Sequence, residues 1–396
     1  MPPSGSSKPH ENKLMGAVEG GPPRKEATPP SMNSSPPAPR SPAPRSSSQE
    51  PKFQDVVWRR LLHDDQPPPF TQVAMNESPR FLGEGGTAAV HQLYTNNQNI
   101  GDVAQKVYYS DINVEDEIDG YRRAGQHKGI LSVYGLAEAF APNGEVKPAL
   151  FTKRMDTNGE KLFLALDRMR ESGRITSSDF DEAIRLVMRR TAKVILHFKR
   201  MKMTMGDIKP NNILAIADNK ARTVVSDFER WSADNFFNRG GPEEYQPPEL
   251  HSKDQWGFEP KYDIYSLGAM LEAVAGEGPL EIRNVWDRVM DDDPKQRFTR
   301  EQALACLPLA QQTGETQSRI VGMLDRAFEM RDFLDGAIHH NPDQRFTPEQ
   351  ALAHRYLKKQ TPEIKDRAIK TLLDAMDLTK SQRYKYDCES SSGEEP

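Results

Sequence analysis

The chain has 396 residues, of which 36% are hydrophobic and 28% charged, the composition of a globular protein with polar additions. Its formal net charge of −5 argues against a nucleic-acid partner, and no apolar run approaches the ~20 residues that insertion across a membrane requires. Cys306 and Cys388 are the only cysteines, which excludes a cysteine-built metal site and predicts a reducing, cytoplasmic location.

Residues 1–52 are rich in Pro and Ser, as in "PPSMNSSPPAPRSPAPRSSS", and we predict a disordered tail because so little apolar surface is available for burial. Its "PPAPR" and "SPAPR" stretches are candidate ligands for a polyproline-recognising partner, and a plain solvated leader is the simpler alternative. The first residues lack the apolar core of a signal peptide. Such a leader is also compatible with export of a bacterial effector, with a chaperone partner and a host-cytosol location, or with a regulatory tail in a eukaryotic cell.

Residues 53–78 are predicted to form a linker, in which the apolar positions of "FQDVVWRRLLHDD" indicate a short amphipathic helix that ends at "QPPPF". Residues 79–155 alternate like strands around one helix, whereas residues 156–357 are mostly helical in pattern. We therefore expect an α+β, bilobal fold with a small β-rich N-lobe and a larger helical C-lobe. Residues 358–396 are predicted as a C-terminal helix and an acidic, disordered tail.

An internal repeat lies in the predicted large lobe, where residues 285–308 match residues 333–357. Both copies run from a helix through an Asx-Pro turn and Arg-Phe-Thr into a second helix. Thr299 and Thr347 are the predicted N-caps of the second helices, each followed by Glu and Gln. Two copies are too few for a solenoid, so we interpret them as a duplicated helical pair.

Several residues in the small lobe are suited to binding phosphate. The turn from Gly83 to Val90, with Gly85 and Gly86, would let backbone amides approach an anion, although a plain hairpin explains the turn equally simply. Lys106 lies among apolar strand residues, where an ammonium either reaches solvent or meets anions. Glu117, on the following helix, is its candidate partner.

The stretch "MTMGDIKPNNIL" (203–214) places an acid, an amine and an amide, Asp207, Lys209 and Asn212, within six residues. Asp227 follows an apolar strand-like run, where an isolated Asp is most often a turn cap. The ordered succession of glycine turn, strand lysine, helix glutamate, this loop and a strand-end aspartate makes a chance origin improbable.

Together these residues resemble a eukaryotic-type protein kinase over residues 79–357. The matching stretches are "GEGGTAAV", "VAQK", Glu117 with "YRRAGQH", "GDIKPNNIL", "DFE", "PPE" and "YDIYSLG". The resemblance implies an ATP- and Mg²⁺-dependent enzyme that transfers the γ-phosphoryl group to Ser or Thr hydroxyls of a protein substrate.

The resemblance also implies a role for each matched residue. The turn containing Gly83, Gly85, Gly86 and Val90 would cover the ATP phosphates, and Lys106, oriented by Glu117, would hold two of them. Asp207 would accept the proton of the substrate hydroxyl or position it, and Lys209 would neutralise the moving phosphoryl group. Asn212 and Asp227 would bind magnesium through oxygen atoms.

Two further roles each have two alternatives. Glu249 of "PPE" is expected to pair with a buried arginine after an Asx-Pro turn, and the repeat offers both Arg297 and Arg345. Thr152 falls near the back of the expected adenine pocket, and an ordinary strand threonine is an equal alternative.

The chain departs from the family at Met205-Gly206, where His-Arg is usual, and at Glu229, where Asp-Phe-Gly has glycine. Without that arginine, activity is predicted not to depend on phosphorylation of the segment 227–249, which has Ser232 and Tyr245 as its hydroxyl side chains. Glu229 is expected to restrict a peptide flip. "GGPEEY" lacks the threonine that many serine/threonine kinases carry, which leaves hydroxyl specificity open.

Three functions therefore compete. The retained ionic and amide side chains favour an active serine/threonine kinase. Met205, Gly206 and Glu229 support a pseudokinase scaffold. A small-molecule phosphotransferase would share Gly-Asp and a downstream Asn, but "GDIKP", "PPE" and "DIYSLG" favour the protein-kinase branch.

Overall fold

The computed structural model describes residues 52–63, 65–75, 80–110, 114–140, 145–233, 242–251, 259–276 and 278–390. The predictions for the tail before residue 52 and for the last six residues lie outside these ranges. The described part consists of a β-rich small lobe followed by a helical large lobe, which confirms the predicted fold class.

The strands, numbered along the chain, are β1 (Lys52–Asp55), β2 (Val57–Leu61), β3 (Gln72–Met75), β4 (Arg80–Glu84), β5 (Ala88–Thr95), β6 (Asp102–Tyr108), β7 (Val133–Phe140), β8 (Val146–Lys153), β9 (Thr157–Asn158), β10 (Met203–Thr204), β11 (Ile213–Ile216), β12 (Arg222–Val225) and β13 (Ser232–Ala233). The α-helices are α1 (Val114–Ala124), α2 (Gly159–Glu171), α3 (Ser177–Arg200), α4 (Lys261–Ala275), α5 (Arg283–Met290), α6 (Arg300–Cys306), α7 (Gly314–Ala337), α8 (Pro348–Ala353) and α9 (Pro362–Ser390).

The predicted helix at residues 53–65 is wrong, because this segment forms β1 and β2. β1 pairs with β3 and β2 pairs with β7, at the two ends of the sheet order β1-β3-β5-β6-β8-β7-β2. Only Val56 separates β1 from β2, so the sheet curls until its ends meet. We call residues 52–61 the N-terminal strap. The small lobe thus begins near residue 52, not at the predicted residue 79.

The strap is attached to both the interior and the exterior of the sheet. Trp58 packs against Phe70 and Phe151, with ring centroids 5.1 and 5.5 Å away, inside the curled sheet. Arg60 forms ion pairs with Glu115 (2.9 Å) and Asp119 (2.6 Å) on α1. Tertiary pairing of this kind outweighs the helical spacing of a short segment rich in β-branched and aromatic residues.

The remaining strands of the small lobe alternate between two cores. Ala137, Ala149 and Phe151 face the interior of the curled sheet, whereas Leu136 and Leu150 belong to the larger core shared with α1 and the large lobe. This alternation follows from the two-residue period of a strand. It places β6 between the two cores, with its Lys106 at the boundary of the lobes.

The large lobe is built around α3, whose first turn is closed by a capping box between Thr176 and Asp179. α9 packs on α2 and α3 and buries Ala368, Leu372, Ala375 and Met376. The duplicated segment forms the pairs α5–α6 and α7–α8. Thr299 and Thr347 cap α6 and α8 through capping boxes with Gln302 and Gln350, as predicted.

Candidate active site

Lys106 lies where strand β6, helix α1 and the segment after β12 converge. Its Nζ is 2.8 Å from Glu117 Oε2, 3.0 Å from Asp227 Oδ1 and 2.7 Å from Glu229 Oε1. The structure therefore brings together three residues that the sequence singled out, Lys106, Glu117 and Asp227. Glu229 joins them, a contact that sequence analysis missed.

Burial governs the electrostatics of this cluster. It disfavours the Lys106 ammonium, but the carboxylates of Asp227 and Glu117 outweigh that effect and hold the lysine's pKa well above its usual value. Burial raises the pKa of Glu117 although Lys106 opposes it. It would also raise the pKa of Asp227, but Lys106 reverses the effect and lowers it. Lys106 and Asp227 are therefore a charged pair at neutral pH.

The acid, amine and amide of the 203–214 stretch also converge. Lys209 Nζ lies 2.7 Å from Asp207 Oδ2, and Asn212 Nδ2 donates to Asp207 Oδ2 (2.9 Å) and to its carbonyl oxygen (3.0 Å). Asp207 Oδ1 is buried and, among the described residues, has no hydrogen-bond partner. Burial raises the pKa of Asp207, opposed by Lys209. One oxygen of the Asp207 carboxylate is therefore left without a donor among the described residues, while the other contacts the Lys209 ammonium.

Asp263 at the start of α4 holds the backbone that precedes Asp207. Its carboxylate accepts the N–H groups of Met205 (2.9 Å) and Gly206 (2.9 Å). Met205 is fully buried and fills the position where the family usually has His. Gly206 has φ +75°, and a Cβ atom there would lie 2.7 Å from the carbonyl oxygen of Arg230. The glycine is thus explained by local packing.

Gly206→Ala should therefore lower the free energy of unfolding by about 2–3 kcal/mol, since it adds both a strained backbone and a collision. Gly173→Ala is the matched control, because Gly173 has φ +70° but open space around its missing Cβ, and it should cost about 1 kcal/mol. Urea denaturation of both variants measures the difference. Equal losses would show that the approach to Arg230 is unimportant.

The segment after β12 is held by aromatic packing. Asp227 has φ +70°, and its N–H donates to the Tyr121 hydroxyl (3.1 Å). Phe228 is fully buried between Tyr121 and Phe198, with ring centroids 4.4 and 5.6 Å away. The left-handed residue of this segment is Asp227, so Glu229 occupies its position without backbone strain.

The glycine turn lies between β4 and β5, closed by the Gly85 N–H donating to the Ala88 carbonyl (2.9 Å). Cβ atoms at Gly83, Gly85 and Gly86 would meet nothing within 4 Å, so there is room above the turn. Val90 pairs with Lys106 in the β5–β6 register, which brings the turn and the lysine to the same end of the sheet. Thr152 lies on β8 opposite Ala104 and is buried. Its role at the adenine pocket stays a prediction, because burial suits an ordinary strand threonine equally well.

Three carboxylates beside Lys106 are candidate ligands for a divalent cation. Ligand oxygens of Glu117, Asp227 and Glu229 lie within 4.8 Å of one another. Asn212 uses its amide nitrogen for Asp207, which leaves its amide oxygen as the atom suited to a metal. Carboxylate and amide oxygens are the ligands that Mg²⁺ prefers.

The structure decides which arginine pairs with Glu249. Arg345 donates through both terminal nitrogens to the Glu249 carboxylate, at 2.6 and 3.0 Å. Its counterpart in the first repeat, Arg297, instead pairs with Asp335 on α7 at 2.6 and 2.9 Å. The second copy of the repeat is therefore the one that reaches the segment before α4.

A curled β-lobe joined to a helical lobe through a lysine–carboxylate cluster defines a bilobal kinase fold. The family model described as protein kinase domain matches residues 77–357, most of the chain, and the chain therefore belongs to the protein kinase family. This family carries out phosphoryl transfer. A search among curated proteins finds no match for the chain. None of the helices in the described ranges combines the length and apolar character that crossing a membrane requires.

Proposed function

We propose that the chain is an active kinase that transfers the γ-phosphoryl group of ATP to Ser or Thr hydroxyls of proteins, with Mg²⁺. The observation that carries the proposal is the buried Oδ1 of Asp207, which lies beside the Lys209 ammonium and has no hydrogen-bond partner within the part of the chain that the structure describes. A buried acceptor without a donor is uncommon in a folded protein, and a substrate hydroxyl would satisfy it.

Asp207 would orient the attacking hydroxyl and receive its proton. Its pKa, raised by burial, makes it a better base than an exposed aspartate. Lys209, 2.7 Å from the other oxygen of Asp207, would place positive charge where the phosphoryl group moves. Asn212 keeps the Asp207 carboxylate in one orientation through its 2.9 Å hydrogen bond.

Lys106 would bind phosphate oxygens, with Glu117 holding the ammonium in place at 2.8 Å. The turn containing Gly83, Gly85, Gly86 and Val90 would supply backbone amides above the phosphates. Asp227 and Asn212 would hold magnesium through their oxygen atoms. When bound, magnesium-ATP supplies the transferable phosphoryl group and shields its charge.

Activity without phosphorylation of the segment 227–249 is part of the proposal. The position before Asp207 is Gly206, so no arginine is present there to bind a phosphate. Ser232 is buried and pairs in register with Thr204 in the small sheet β10–β13, which makes it a poor target for modification.

The proposal is tested by incubating the full chain with radiolabelled ATP and protein substrates, followed by identification of the labelled amino acids. We expect label on Ser and Thr that is lost in EDTA, lost in Lys106→Met, and unchanged after phosphatase treatment of the enzyme. Label on tyrosine, or on choline or sugars in place of proteins, would overturn the proposed substrate class.

A scaffold without transfer is the second candidate. It is favoured by Glu229, which takes the place of glycine and contacts the Lys106 ammonium at 2.7 Å. Absence of label from every substrate in the same assay would support this function.

A further inference from the structure

Glu229 links three parts of the site. Its Oε1 atom lies 2.7 Å from Lys106 Nζ and accepts a hydrogen bond from Thr87 Oγ1 at 3.0 Å. Thr87 belongs to the glycine turn, and Glu229 follows the buried Phe228 of the large lobe. One carboxylate thus connects the large lobe to both the turn and the lysine, and its side chain is 12% exposed.

The partners of the Lys106 ammonium would compete with a polyphosphate. Glu117, Asp227 and Glu229 contribute three carboxylates around the single ammonium of Lys106. Lys209 and Arg230 also act on Asp227. The Lys106 ammonium itself is nevertheless surrounded by carboxylates, and incoming phosphates would need the same ammonium that Glu229 already contacts. Interactions between charges at such distances are strong because the groups are partly shielded from water.

We propose that Glu229 is a built-in competitor for the phosphate groups of the nucleotide, so that phosphates bind Lys106 only after the Glu229 carboxylate has left it, and a divalent cation favours this exchange. The inference rests on the proposed function, in which Lys106 binds nucleotide phosphates.

The exchange requires only side-chain movement. Phe228 is fully buried and anchors the backbone, whereas the Glu229 side chain can turn about its own bonds. Once released from Lys106, its carboxylate remains near Asp227, where it would be an additional oxygen donor beside the cation. The cation would then replace the ammonium as the partner of Glu229.

The test compares wild type with Glu229→Gln, which keeps the size of the side chain, and Glu229→Gly, which removes it. ATP and adenosine are titrated calorimetrically, in EDTA and in excess Mg²⁺. In EDTA we expect both variants to bind ATP about tenfold more tightly than wild type, because one negative charge is gone. Adenosine has no phosphates, so its affinity should stay constant. In Mg²⁺ the difference for ATP should shrink.

Thr87→Val provides a matched control, since it removes the hydrogen bond to the turn but keeps the charge of Glu229. It should improve ATP binding in EDTA by only about threefold, less than the Glu229 variants do, because the competing carboxylate keeps its charge and the lost hydrogen bond is exposed to water. In the ligand-free protein, amide hydrogen exchange of residues 83–90 should be faster in Thr87→Val and in Glu229→Gly than in wild type.

Different results would overturn the role of Glu229 and the proposed kinase function. ATP binding by all three proteins with equal affinity in EDTA, or weaker binding by Glu229→Gln, would overturn the inference alone. Unchanged hydrogen exchange of residues 83–90 in both Thr87→Val and Glu229→Gly would show that Glu229 does not contact the glycine turn in solution. That result would also overturn the inference alone. Failure of wild type and variants to bind ATP with or without Mg²⁺ would overturn the proposed function and the inference together.

Discussion

Asp207→Ala is expected to lower kcat for phosphoryl transfer by about 10²–10⁴-fold, the usual loss when a general base is removed. The reason is the buried Oδ1, which lacks a hydrogen-bond partner among the described residues and would, in the proposed function, accept a hydrogen bond from the substrate hydroxyl. Lys106 and its three carboxylate partners are untouched by this change, so the affinity for ATP should remain within a few-fold of wild type. Steady-state kinetics and a nucleotide titration measure the two quantities separately.

Asp207→Asn is the companion variant, because it keeps the shape of the side chain and an oxygen for Lys209 but cannot take up a proton. It should fold as well as wild type and be nearly as inactive as Asp207→Ala. Substantial activity in the asparagine variant would mean that Asp207 acts by positioning alone. Wild-type activity in both variants would remove Asp207 from the site.

Arg345→Ala is expected to be the most destabilising of these substitutions, with a loss of about 3–5 kcal/mol in the free energy of unfolding. The Arg345 side chain is 0% exposed and the Glu249 side chain 10% exposed, so the substitution takes a bidentate partner from a buried carboxylate. The guanidinium also donates to the His339 carbonyl at 3.1 and 3.0 Å, and these hydrogen bonds would be lost as well.

Arg297→Ala is the control supplied by the repeat, since it removes the corresponding arginine of the first copy. Its partner Asp335 is 40% exposed and keeps an ion pair with Arg331 at 2.8 Å, so the remaining carboxylate is still compensated and the loss should be about 1 kcal/mol. Denaturant unfolding of both variants gives the comparison. Similar losses would contradict the assignment of Arg345 as the structurally dominant arginine.

The two lobes were predictable because strands and helices have different hydrophobic periods. The site residues were predictable because they follow one another along the chain in the order that the kinase resemblance requires. The strap was not. Its apolar positions at 53, 56, 57 and 61 suit a short helix, and the pairing that makes it two strands comes from β3 and β7, both of which lie outside the segment itself.

Two other features depended on distant contacts in the same way. Arg297 and Arg345 have nearly identical local sequences, so only the three-dimensional position of each copy decides which one meets Glu249. The sequence marks Glu229 only as a departure from glycine, which predicts restricted backbone freedom at that position. Its contact with Lys106 joins residues 123 positions apart, and a local sequence pattern cannot predict such a pair.

The strap and α9 both lie outside residues 77–357, at opposite ends of the family match. The strap supplies hydrogen-bond partners to two strands, and α9 covers apolar surface of α2 and α3. The residues that match the family model and the residues that stabilise the fold therefore cover different ranges of this chain. The portion that makes it recognisable is shorter than the portion that holds it together.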